Sequence, residues 1–225
     1  MVQVSNIMFN GREYLVSTAK CLKLDIEVPY EQMAQEAKAL RDKFIPYRST
    51  YKTQGWHSLP IIGKSSKDPY AWDQYKEYGS AKDAAFDMQL TDIAEQCPVT
   101  VNWLNNVYPS NSYGRVRFML LEAGGYIEPH KDTEHSILGA VNVALTHPSD
   151  CVWHWSDGST MQFKPGDAYA MNISYEHSVK NNSNEDRYHL IVHHYDSTDE
   201  WKNIMSTALE ESNEQGEFHF STELF

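Results

Sequence analysis

His130-Lys131-Asp132 sets an imidazole and a carboxylate two residues apart. On extended backbone, residues i and i+2 project from the same face, so both side chains can converge on one metal. His177 follows 45 residues after Asp132, just beyond the strand candidate Ala168 to Met171, and can supply the third ligand. Two imidazoles and one carboxylate on one face of an octahedron leave three positions open. That arrangement suits iron(II) that must bind a bidentate oxoacid and then O₂. Arg187 lies ten residues after His177, across the polar turn Asn181 to Asp186. A hairpin there returns it beside the ligands, where a guanidinium can grip a carboxylate through two parallel hydrogen bonds. The distal carboxylate of 2-oxoglutarate needs such a partner. An isolated His-x-Asp triplet is a weak signal; the His and the Arg at these spacings, inside a strand-rich half, make a stronger one.

The elements that must position these residues are short strands separated by turns. Arg115 to Leu121 reads as a strand that Gly124-Gly125 breaks. Ala140 to Leu145, Cys151 to Trp155, Met161 to Phe163, Ala168 to Met171 and Tyr188 to His194 follow. Between them lie His147-Pro148-Ser149-Asp150, Ser156-Asp157-Gly158 and Lys164-Pro165-Gly166-Asp167. Many short strands with regular turn signals predict a sandwich or barrel. Upstream, Met33, Ala37, Leu40 and Phe44 recur at helical spacing, as do Phe86, Leu90 and Ile93, with Pro98 placed to close the second run. Helices are therefore expected at about 30–45 and 83–96, packing on one outer face of the β unit. Residues 47–82 read as loop with short strands, including a structured loop Gly55 to Pro60. The expected division is helices and loops over 1–99, a β core over 100–196 and a polar tail or lid over 197–225, together one domain.

Residues 115–195 resemble the aspartyl/asparaginyl β-hydroxylase family of 2-oxoglutarate oxygenases. The resemblance rests on Arg117-Phe118-Met119-Leu120 leading to Gly124-Gly125-Tyr126-Ile127-Glu128-Pro129-His130, then Gly166-Asp167, Glu176-His177 and Asp186-Arg187-Tyr188-His189-Leu190-Ile191-Val192. It implies a mainly β fold, a double-stranded β-helix (a cupin-like jelly-roll) with flanking helices. It also implies iron at His130 and His177, 2-oxoglutarate at Arg187, and O₂ as the oxidant. The animal members that name the family have Gly where this chain has Asp132; the full triad here is like that of bacterial members acting on free amino acids. Those animal enzymes also use a His on the strand after the first ligand to hold the cosubstrate, and Asn142 stands at about that place. These departures from the family pattern leave the substrate open: a free amino acid, a peptidyl residue and a small metabolite all fit.

Composition restricts the rest. Thirty-one acids against nineteen Lys and Arg give a net charge of −12, which disfavours nucleic acid and anionic membrane surfaces as partners. No run approaches the roughly 20 apolar residues that span a bilayer, and the first residues lack the basic start and apolar core of a signal peptide. Cys21, Cys97 and Cys151 form no C-x-x-C pair and are expected to be buried thiols in a reducing, cytoplasmic setting. Arg115 and Arg117 read as surface charge, Trp153 and Trp155 as core. The remaining β-half histidines read as core or surface groups, with His135 near the pocket mouth. Two rival functions share the ligand set. One is a metal-binding cupin without turnover, which has no need of Arg187. The other is a zinc hydrolase with Glu176 as base, against which stands the lack of an H-E-x-x-H helix.

Overall fold

The computed structural model describes residues 4–9, 12–47, 52–67, 88–132, 138–194 and 198–214. A hairpin of β1 (Val4–Phe9) and β2 (Arg12–Ser17) stands as its own two-stranded sheet. The other strands described form one curled antiparallel sheet of eleven. They are β3 (Cys21–Leu24), β4 (Ile45–Pro46), β5 (Thr53–Gly63), β6 (Gln89–Leu90), β7 (Tyr113–His130), β8 (Leu138–Ala144), β9 (Cys151–Trp155), β10 (Thr160–Met161), β11 (Ala168–Asn172), β12 (His177–Asn181) and β13 (Arg187–His194). Their order is β10-β9-β12-β7-β13-β8-β11-β3, with β5 along the other edge of β7 carrying β4 and β6. This is a jelly-roll, mainly β as expected.

One strand joins its two halves. β7 pairs through Val116 to Leu121 with β13, and through Tyr126 to His130 with β12. The Gly124-Gly125 pair, expected to end the strand, bends it instead. Gly124 sits at φ +72°, and a Cβ on Gly125 would lie 2.8 Å from the carbonyl oxygens of Gln54 and Glu122. Glycine there lets the chain turn from one half of the roll to the other without leaving the ladder, so β7 delivers His130 at its far end.

Period-two alternation then divides the core. Val116 and Phe118 of β7 and Leu190 and Val192 of β13 face outward. They pack under α1 (Tyr30–Ala39) and α2 (Pro98–Asn106), which bring Met33, Ala37, Trp103 and Leu104. Each such side chain contributes about 1.5–3 kcal/mol on burial, which holds the helices to one face. The alternate residues line the inside of the roll, where Leu121, Ile127, Trp153, Trp155, Phe163 and Val179 form a second cluster.

Four sequence expectations change. Residues 83–87 of the second predicted helix lie outside the described residues; 88–96 hold β6 and a 3-10 turn, Ala94–Gln96. The helix begins where it was expected to stop, because Pro98 occupies its first turn, a position that needs no N–H. Gly55 to Pro60 belongs to β5 rather than a loop, and alternation pairs Trp56 with inward Leu121 and His57 with outward Leu120. Arg117 is no surface charge: it is buried, with its guanidinium 5.1 Å from the ring of Tyr47. Within 197–225, residues Asp199–Glu214 form a helix, α3. All three cysteines are free and buried. Among the described residues no helix is long and apolar enough to cross a membrane.

Candidate metal centre

His130 ends β7, His177 opens β12, and the two face each other across the ladder with ring centroids 4.3 Å apart. Asp132 follows two residues beyond, its backbone N–H donating to the Ile173 carbonyl at 2.9 Å. Its Oδ1 lies 3.5 Å from His130 Nε2. One ligand atom from each of the three residues falls within 4.8 Å of the others, a spacing a single metal ion can close.

Both imidazoles are oriented alike. His130 Nδ1 lies 2.7 Å from the Glu128 carbonyl and His177 Nδ1 lies 2.8 Å from that of Tyr175. Each Nδ1 therefore carries the proton, and Nε2 is the unprotonated atom turned toward the centre, the tautomer a metal requires. Trp153 stacks on the far face of His177 at 4.5 Å and an angle of 8°, locking the ring. Burial, reinforced by the neighbouring His130, pushes the His177 pKa down to about 4, so the ring is a neutral donor at ordinary pH. Exposure is graded: the side chains of His130 and Asp132 are 7% and 41% exposed, so the carboxylate stands at the solvent side. The donor set of two imidazoles and a carboxylate fits iron(II).

An aromatic wall leads from the ligands to Arg187. Trp153 meets Phe163 edge-on at 5.8 Å, and Phe163 lies 5.6 Å from the Arg187 guanidinium. Arg187 opens β13 opposite Leu121, facing the interior. It is 4% exposed, and among the described residues its Nε has no hydrogen-bond partner. Burial lowers its pKa to about 10, still a cation at neutral pH. Among the described residues no carboxylate pairs with it. A buried cation without a counter-ion costs several kcal/mol, which an incoming carboxylate would offset.

The other expected residues are placed as follows. Asn142 is buried on β8, between Ile191 of β13 and Tyr169 of β11, so it lies four residues along the ladder from Arg187. His135 lies outside the described residues. His147 and His189, read from sequence as core or surface groups, sit against Arg187: Arg187 Nη2 is 2.8 Å from His189 Nδ1, and His189 Nε2 is 3.3 Å from His147 Nδ1. The i, i+2 relation of Arg187 and His189 signals the first contact; no local pattern signals the second.

A jelly-roll with two imidazoles and a carboxylate gathered where its strands end is the architecture of cupins and of mononuclear metal oxygenases. Residues 27–196 match the aspartyl/asparaginyl β-hydroxylase family, and the chain belongs to that family, a 2-oxoglutarate-dependent hydroxylase. No curated protein matches its sequence. Among solved structures it is similar to a Pseudomonas putida prolyl-4-hydroxylase, at 15% identity and a TM-score of 0.43, over 80% of this chain and 95% of that one. A Trichoplax adhaerens prolyl hydroxylase, solved with a hypoxia-inducible-factor peptide, is similar at 12% identity and a TM-score of 0.46, over 80% and 84% of the two chains. An oxidoreductase of the 2OG-Fe(II) oxygenase family from Burkholderia pseudomallei is similar at 14% and 0.40, over 72% and 89%.

Proposed function

We propose that this hydroxylase acts on an unactivated C–H bond of an amino acid or a peptidyl residue, with iron(II) held by His130, Asp132 and His177 and the distal carboxylate of 2-oxoglutarate held by Arg187. The observation that carries the reading is the buried, uncompensated Arg187 cation at the far end of an aromatic wall from the His–Asp–His cluster. When bound, iron(II) with 2-oxoglutarate and O₂ supplies the oxidising power: the oxoacid goes to succinate and CO₂ while one oxygen atom enters the C–H bond. The protein does the rest. His130, His177 and Asp132 would hold the iron through two imidazoles and one carboxylate, three protein ligands, which would leave room for cosubstrate and O₂. Arg187 aligns the oxoacid by its distal end, and Trp153 and Phe163 exclude water between the two points. Asn142 offers its amide to the cosubstrate from the inner face of β8. The buried thiols suit a reducing, cytoplasmic setting.

The test is succinate formation with iron(II), ascorbate and 2-oxoglutarate across a panel of free amino acids and short peptides. At least one should stimulate succinate release well above the unprimed rate, and Asp132→Ala should abolish the stimulation. Stimulation that survives in Asp132→Ala would contradict the assigned ligand set.

A further inference from the structure

Buried arginines are ordinarily balanced by a carboxylate, which fixes the fork and cancels its charge. Arg187 is fixed differently. Arginine has only donors, so at 2.8 Å it must donate to His189 Nδ1, and that nitrogen must be unprotonated. The proton of His189 then sits on Nε2, which faces His147 Nδ1 at 3.3 Å. The chain of hydrogen bonds runs one way, from Arg187 to His189 to His147. Phe163 packs edge-on against His189 at 4.8 Å and, as described, also meets the guanidinium. Burial, with the charge of Arg187 added, holds both imidazoles neutral; His147 is pushed down to about 3 and His189 well below its ordinary value. An imidazole acceptor orients the fork as a carboxylate would, yet leaves the positive charge whole.

We infer that His189, held in its tautomer by His147, is a positioning residue that aims the Arg187 guanidinium at the cosubstrate carboxylate without neutralising it. The inference rests on the reading of Arg187 as the carboxylate clamp.

Isosteric variants separate orientation from charge. His189→Asn keeps an acceptor where Nδ1 stands. His189→Asp keeps the acceptor and adds a negative charge. His189→Leu removes the acceptor. Each full-length variant, and Arg187→Ala, is loaded with Mn(II) and titrated calorimetrically with 2-oxoglutarate, beside its Mn(II) affinity and melting temperature. His189→Asn should bind 2-oxoglutarate within about threefold of wild type, and His189→Leu ~10-fold more weakly, since one hydrogen bond to a charged group is lost. His189→Asp should bind more weakly than His189→Asn by ~10-fold or more, because its carboxylate occupies the cation. Mn(II) affinity should stay unchanged throughout, which a general loss of structure would not allow. If His189→Leu fails to fold, the Asn–Asp comparison decides alone. Equal affinity in those two variants, or wild-type affinity in His189→Leu, overturns the positioning role. Wild-type affinity in Arg187→Ala would remove the clamp and this inference together, whereas loss in Arg187→Ala with none in His189→Asp would remove this inference only.

Discussion

At the scale of single residues the site is a set of side chains whose protonation and direction are settled by their surroundings. Backbone carbonyls two residues upstream of His130 and His177 choose the tautomer of each. Asp132 is the one carboxylate of the three candidate ligands, so Asp132→Ala should weaken divalent-metal binding by more than ~10-fold, seen as loss of Mn(II) uptake, with little change in melting temperature of the metal-free protein. Arg187→Lys keeps a cation but loses the planar fork, and should weaken 2-oxoglutarate binding by ~10-fold or more, measured as KM at saturating iron. An unchanged KM would show that the fork is not used. The ligand candidates and Arg187 were legible because strand periodicity and a turn of known length link sequence distance to spatial distance. Arg117 was not: two arginines on an alternating strand look the same whether their face meets solvent or, as here, the inside of a roll. His147 was not either, since its contact with His189 crosses 42 residues and four strands.

At the scale of elements, the sheet followed from alternation and turns, while the helix boundaries depended on partners far away in the chain. α2 has no side-chain cap of its own. Its first N–H groups donate instead to the Glu36 carboxylate of α1, Val99 at 2.7 Å and Thr100 at 3.0 Å, and the Thr100 hydroxyl adds a third bond at 2.7 Å. A negative group at a helix N-terminus is also favoured by the helix dipole. No local pattern reports a cap supplied from 63 or 64 residues away, so Pro98 was read as an end rather than a start. Glu36→Ala should cost about 1–3 kcal/mol in urea denaturation, with metal affinity unchanged because α2 packs outside the roll. α3 could have been read: Trp201, Ile204, Met205, Ala208 and Leu209 form one stripe, and the Thr198 hydroxyl caps it by accepting from the Trp201 N–H at 3.0 Å. Its polar, acidic remainder masked the stripe. The Gly124-Gly125 bend was half legible. Glycines mark where a strand is disturbed, but only the close carbonyls show that it bends and continues. Gly125→Ala should lower the unfolding free energy by about 1–3 kcal/mol through overpacking, and because it displaces the strand that carries His130, it should weaken Mn(II) binding as well. Normal metal affinity in this variant would mean that the bend does not set the site.

At the scale of the whole molecule, the interior carries several histidines that folding keeps neutral. His147 is lowered to about 3 and His177 to about 4, both chiefly by burial. In the unfolded chain such groups titrate near 6.5. Between about pH 6.5 and those lowered values the unfolded state therefore binds more protons than the native one. Stability is fully present above that window and lost as pH falls through it, by up to ~1.4 kcal/mol per pH unit for each such histidine. Urea midpoints of the metal-free protein should fall steadily from pH 6.5 to pH 5; a flat profile would show that the imidazoles are not buried neutral. Metal binding to native Nε2 atoms should raise the whole curve. If one end of the roll holds the metal and a separate buried cation holds the cosubstrate, the two sites separate in sequential calorimetric titration of Mn(II) and then 2-oxoglutarate into wild type, Asp132→Ala and Arg187→Ala. Wild type should take up one Mn(II) per chain and then 2-oxoglutarate, Asp132→Ala should lose Mn(II), and Arg187→Ala should keep Mn(II) with 2-oxoglutarate weakened ~10- to 100-fold. Wild-type Mn(II) affinity in Asp132→Ala, or wild-type 2-oxoglutarate affinity in Arg187→Ala, would contradict this assignment of the two sites.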